Sequence, residues 1–212
     1  MGEITRVFDL LTHSLKNHRK DDMVAAKRDG SWVKYSTESF IEQVNLLSLG
    51  LIARGIKKDS KVAIMSPNRP EWNICDFGIM QIGATQVPMY PTLAESDIKF
   101  IIRDADVRIV FVSDLSLYNK LNKVRTEEDI SFEIFSFDRI DGVPHWSDIL
   151  KSGADAQFQD LDAYRQAISP DDLLTLIYTS GTTGAPKGIM HSHRSGLAYA
   201  KLSMELYDVR PT

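Results

Sequence analysis

Short apolar and β-branched runs alternate along this chain with segments of helical period, and nothing else in it restricts the fold so strongly. The runs Lys61-Val62-Ala63-Ile64-Met65, Thr85-Gln86-Val87-Pro88, Val107 to Val112, Phe132 to Phe137 and Leu173-Leu174-Thr175-Leu176-Ile177 are too short for core helices. Between them, Pro70 suits the first position of a helix running to about Gly83, and Glu95 to Asp104 places Ile98, Ile101 and Ile102 on one helical face. Ser116 to about Arg125 repeats the pattern. Strands separated by helices form βαβ units, which build a largely parallel sheet flanked by helices. Val107 to Val112 is apolar at nearly every position, as a strand covered on both faces must be. The expected class is α/β.

The flanking segments add detail. Val24 to Arg28 and Ser31 to Tyr35 bracket Asp29-Gly30, a strong signal for a small β-hairpin near the N-terminus. Ser36 or Thr37 caps a helix reaching about Arg54, closed by Gly55. Residues 138–169 are polar and weakly patterned, so surface connections with one or two short helices are expected there. Ser192 can cap a last helix running to about Tyr207. Phe8 to Lys16 is amphipathic, which favours a first helix packed on the domain over an interfacial anchor.

Composition limits the function classes. The 212 residues suit one large domain or slightly more, and 43% hydrophobic with 25% charged residues is ordinary for a soluble globular protein. A net charge of −4 argues against a nucleic-acid-binding face. No run of 18 apolar residues occurs, and Met1 to Arg6 is no hydrophobic signal segment. The single cysteine, Cys75, has no internal disulfide partner and is expected to pack beside Trp72 and Phe77. These features suit the cytoplasm; peripheral membrane contact and a homodimer stay open.

The last apolar run leads directly into Tyr178-Thr179-Ser180-Gly181-Thr182-Thr183-Gly184-Ala185-Pro186-Lys187-Gly188. Glycines let backbone N–H groups converge on an anion, hydroxyls add donors and a lysine adds charge. Each charge-assisted contact is worth about 1.5–3 kcal/mol. A nucleotide phosphate is the natural ligand. A Walker A loop is excluded, because Lys187 follows Pro186 and precedes Gly188 rather than opening a helix. The glycine spacing also fails the dinucleotide fingerprint. Lys187 should therefore sit on a loop or hairpin. His191 and His193 fall two apart on an extended segment, but no third zinc ligand is near in sequence. Tyr178 and Met190 read as packing residues, and Arg69 with Glu71 as a surface pair or helix cap.

The string from Tyr178 to Gly188, with Ile189-Met190-His191-Ser192-His193-Arg194 after it, resembles the phosphate-loop signature of the acyl-adenylate-forming superfamily. Acyl-CoA synthetases, luciferases and the adenylation domains of peptide synthetases belong to it. Asn68-Arg69-Pro70-Glu71-Trp72, Gly83 to Thr92 and Ile98 to Asp106 resemble long-chain fatty acyl-CoA synthetases. The likeness covers about residues 24–207. It implies the large N-terminal, AMP-binding domain of an enzyme that uses ATP and Mg²⁺ to form an acyl-adenylate and then transfers the acyl group to coenzyme A. By that resemblance Thr179, Ser180, Gly181, Thr182, Thr183, Gly184 and Lys187 hold the ATP phosphates, and Lys187 has the catalytic role of neutralising their charge. Thr179 is either a hydroxyl ligand for Mg²⁺ or a strand-end cap.

The family's later elements are not found in residues 1–212: its acidic Gly-x-Thr-Glu segment, ribose-binding aspartate, hinge and mobile C-terminal domain. The expectation is a truncated N-terminal portion, inactive alone in ATP–pyrophosphate exchange. The alternatives are an adenylating enzyme for aryl or amino acids that delivers to a carrier protein, and a non-catalytic nucleotide-binding module.

Overall fold

The computed structural model describes residues 4–156, 160–179 and 186–207. Its elements run α1 (Asp9–Asn17), β1 (Val24–Arg28), β2 (Ser31–Tyr35), α2 (Thr37–Ala53), β3 (Lys61–Met65), α3 (Pro70–Met80), β4 (Thr85–Met89) and α4 (Glu95–Asp104). They continue with β5 (Val107–Val112), α5 (Leu115–Glu127), β6 (Glu133–Ser136), α6 (Ser147–Asp155), α7 (Leu161–Gln166), β7 (Leu173–Thr179), β8 (Lys187–Ser192) and α8 (His193–Leu206).

Six strands form one sheet in the order β6-β5-β3-β4-β7-β8. Every pairing from β6 to β7 is parallel, and β8 returns antiparallel along β7. The alternation of strand side chains divides the core. Val62 and Ile64 of β3 point toward Phe40, Val44 and Leu47 of α2, Ile74 and Ile79 of α3 and Ile149 of α6. Ala63 and Met65 point the other way, toward Ile98 and Ile102 of α4 and Leu117 and Leu121 of α5. A strand buried on both sides must be apolar throughout, which is why β3 and β5 carried that signal.

Local chemistry sets the boundaries. Asp29 and Gly30 have φ of 48° and 82°, the left-handed pair that a tight β1–β2 hairpin requires. The Ser36 hydroxyl accepts the Ser39 N–H at 3.1 Å and opens α2. Gly55, at φ 79°, lies just past its end. Phe8 and Leu11 bury α1 against the domain, with Phe8 joining Met80, Ile168 and Leu174. No helix among the described residues is long and apolar enough to cross a membrane.

Residues 138–169 differ from the surface connections expected of them. They supply two short helices, but Trp146, Ile149 and Ile168 are buried, and α6 docks closely on α2. A Cβ on Gly50 would overlap the Ile149 carbonyl oxygen, and one on Gly153 the Leu46 carbonyl oxygen. Glycine at both positions lets the two backbones touch.

Candidate phosphate-binding site

β7 lies inside the sheet and delivers its carboxyl end to the edge where ligands of open parallel sheets bind. Its last residue, Thr179, pairs across the hairpin with Lys187, the first residue of β8. Those two expected site residues therefore face each other at the base of the loop. The remaining ones, Ser180, Gly181, Thr182, Thr183 and Gly184, lie outside the described residues. Lys187 stands on a hairpin strand, as Pro186 implied. Thr179 and Lys187 are both exposed, and Lys187 makes no ion pair among the described residues. A solvated, unneutralised ammonium beside a hydroxyl is a fit for nucleotide phosphate.

The residue before Thr179 fixes the strand end. The Tyr178 hydroxyl donates to Asp104 Oδ2 at 2.5 Å, at the last residue of α4, and the ring lies edge-on to Phe100 at 6.3 Å. Burial first, and then the Asp104 carboxylate, push the phenol well above its usual value, so it stays a donor. Gly188 sits opposite Tyr178. A Cβ there would come within 3.0 Å of Leu176 Cδ1 and 3.2 Å of Tyr178 Cζ, so glycine leaves room for the ring. The tyrosine is thus a packing residue, as its sequence context suggested, and also a bolt between β7 and α4. Met190 differs from expectation: it is 73% exposed on β8, which no further strand covers among the described residues.

The two histidines part company. His191 pairs with Thr175 in β8, whereas His193 is the first residue of α8 and only 1% exposed. His193 Nδ1 accepts the Val7 N–H at 3.2 Å, and its ring meets Phe8 edge-on at 5.4 Å. Burial lowers its pKa to about 4 despite Asp172 and Asp9 nearby, so near neutral pH it is an uncharged acceptor. The chain leaving the hairpin is thereby tied to the segment before α1.

Arg69 and Glu71 depart furthest from a surface pair. The Glu71 side chain is 2% exposed and is clasped by Arg69, with Nε–Oε2 at 2.9 Å and Nη2–Oε1 at 3.2 Å, and by Arg28 of the β1–β2 hairpin. Arg69 also reaches Asp138 at 3.0 Å and covers the Phe137 ring. Burial alone would raise the Glu71 pKa, but the two guanidinium groups bring it below the usual value. Sequence spacing could show only the local Arg69–Glu71 half, since Arg28 lies 43 residues earlier.

Comparison with known proteins gives this geometry a context. The chain is 30% identical over 194 residues to a long-chain-fatty-acid–CoA ligase of Mycobacterium tuberculosis, covering 86% of this chain and 32% of that one. It is 30% identical to fatty acyl-CoA synthetase B of Dictyostelium discoideum, covering 91% and 31%. It thus spans about a third of the length of these relatives. Among solved structures, the anthranilate CoA ligase AuaEII bound to anthranoyl-AMP superposes with a TM-score of 0.76 at 22% identity, covering 93% of this chain and 36% of that one. The McyG A-PCP protein with phenylalanyl-adenylate gives 0.78 at 16% identity, covering 99% and 36%. At those identities the superpositions show a shared fold. The model of the AMP-binding enzyme family matches residues 12–211, and this chain belongs to that family.

Proposed function

We propose that this chain is the first part of the AMP-binding domain of an acyl-CoA synthetase, and that residues 179–187 grip the phosphates of ATP during activation of a fatty acid. The observation that carries the reading is the Thr179–Lys187 pair: an ammonium without an acidic partner among the described residues, held opposite a hydroxyl at the carboxyl end of a parallel strand. When a carboxylate attacks the α-phosphate, an acyl-adenylate forms and pyrophosphate leaves. Lys187 would offset the charge gathering on that leaving group, with Ser180, Gly181, Thr182, Thr183 and Gly184 as further donors. Mg²⁺, when bound, would share that neutralisation, and Thr179 offers it a hydroxyl oxygen. Tyr178 orients the strand end and takes no proton.

The names of the relatives at 30% identity, a long-chain-fatty-acid–CoA ligase and a fatty acyl-CoA synthetase, support coenzyme A as the acyl acceptor and a long-chain acid as substrate. The exposed apolar side chains of β8 and α8, among them Ile189, Met190, Leu202 and Leu206, suit a face that the rest of such a domain would cover. The test is ATP–pyrophosphate exchange by the full-length protein with fatty acids of graded length, aryl acids and amino acids. Exchange with long-chain acids that falls at least a hundredfold in Lys187→Ala supports the reading. Exchange only with aryl or amino acids, or an unaffected Lys187→Ala enzyme, overturns it.

A further inference from the structure

A second feature lies at the same edge of the sheet, two strands from β7. β3 is followed by α3 on one face, and its neighbour β5 by α5 on the opposite face. The order reverses there, and crevices outside such switch points are where open α/β sheets take ligands. A cleft of about 780 Å³ opens at this place between the β1–β2 hairpin and the loop entering α3. That volume is within the range for small-molecule sites.

Its walls carry an asymmetric set of groups. Arg28 and Arg69, the planar forks best suited to carboxylates, are already engaged by Glu71 and Asp138. Lys27, Asn68 and Asn73 also line the cleft and are exposed, and their side chains make no hydrogen bond or ion pair among the described residues. Lys27 stands directly across the hairpin from Trp32, whose side chain also lines the cleft and is 66% exposed. An indole face left in solvent beside an ammonium and two amides matches a ligand with a planar ring and a compact anion.

We propose that this cleft is a second ligand site, taking a small aromatic phosphate of nucleotide size, with its ring on Trp32 and its phosphate on Lys27, Asn68 and Asn73. The site is separate from the Thr179–Lys187 pair and stands whether or not that pair binds ATP. The test follows the indole N–H resonance of Trp32, assigned by its loss in Trp32→Phe, in the Lys187→Ala chain, so that phosphate binding at Lys187 does not contribute. Titration with ADP is expected to move that resonance saturably. Lys27→Ala, an exposed substitution whose folding the rest of the spectrum reports, is expected to weaken the effect about tenfold or more. Adenosine alone and inorganic phosphate alone should each bind more weakly than ADP. An unmoved Trp32 resonance, an unchanged affinity in Lys27→Ala, or inorganic phosphate matching ADP would each overturn the proposal.

Discussion

Replacing Glu71 by alanine should be among the most damaging single changes available to this chain, although sequence alone reads that residue with Arg69 as a surface pair or helix cap. Its carboxylate is 2% exposed and held by Arg69, itself only 17% exposed. Removing it leaves the Arg69 guanidinium with Asp138 as its remaining carboxylate partner, at the more exposed end of the cluster. Breaking one side of a buried pair costs about 3–5 kcal/mol, against about 0–1 kcal/mol for an exposed pair. Arg28 is 41% exposed, so its lost contact adds little. With a urea m-value of about 2–3 kcal/mol/M for this size, the midpoint of unfolding should fall by about 1–2 M at unchanged m. Adding Arg69→Met should then restore part of the stability, because the stranded charge is gone. The sign with pH follows from the depressed Glu71 pKa: its contribution is full above the ordinary glutamate value and is lost as pH falls through the folded one. Urea titrations of the two single variants and the double variant at neutral pH measure the loss and the coupling, and the unmodified chain against Glu71→Ala at pH values below 4.5 measures the sign. A loss below about 1 kcal/mol, or strict additivity, would refute the reasoning.

Three further outcomes follow. Gly153→Ala places a methyl group against the Leu46 carbonyl and should cost about 3 kcal/mol or more in thermal or urea unfolding, since backbone must move to admit it. Gly188→Ala crowds Leu176 and the Tyr178 ring and should cost about 1–2 kcal/mol, with part of that loss absent in a Tyr178→Ala background; equal losses in both would show the ring is not an obstacle. The Asp76 side chain is partly buried and makes no hydrogen bond or ion pair among the described residues, and burial raises its pKa to about 7. Its neutral form is favoured in the fold, so its contribution is full below about pH 4 and is lost as pH rises through 7. Asp76→Asn should therefore stabilise the chain by about 2–4 kcal/mol at pH 8 and little at pH 4, read from unfolding midpoints at the two values.

The parts of this structure that were legible in the sequence are those written locally. Strands β3, β5 and β7 announce themselves because sheet burial demands apolar runs, and Asp29-Gly30, Ser36 and Ser192 mark turns and caps through their own backbone chemistry. Pro186 and Gly188 placed Lys187 on a loop or hairpin rather than at a helix start, and the structure makes it the hairpin. What the sequence hid depends on distant partners. Glu71 is buried because Arg28 arrives from a separate hairpin, and no local pattern shows that. The docking of α6 rests on Gly50 meeting a helix about a hundred residues later, and neither glycine signals contact by itself. Met190 has an apolar side chain on an edge strand, so its type suggested packing while its place leaves it exposed.

The central claim is that the β7–β8 hairpin grips nucleotide phosphate through Lys187. The most direct measurement is an ATP titration of this chain followed at the backbone amides of Thr179 and Lys187, repeated on Lys187→Ala. Saturable shifts at both amides, with affinity falling about tenfold or more when the ammonium is removed, are the result predicted here. Shifts that persist at the same affinity in Lys187→Ala, or amides that ATP leaves unmoved, would contradict it.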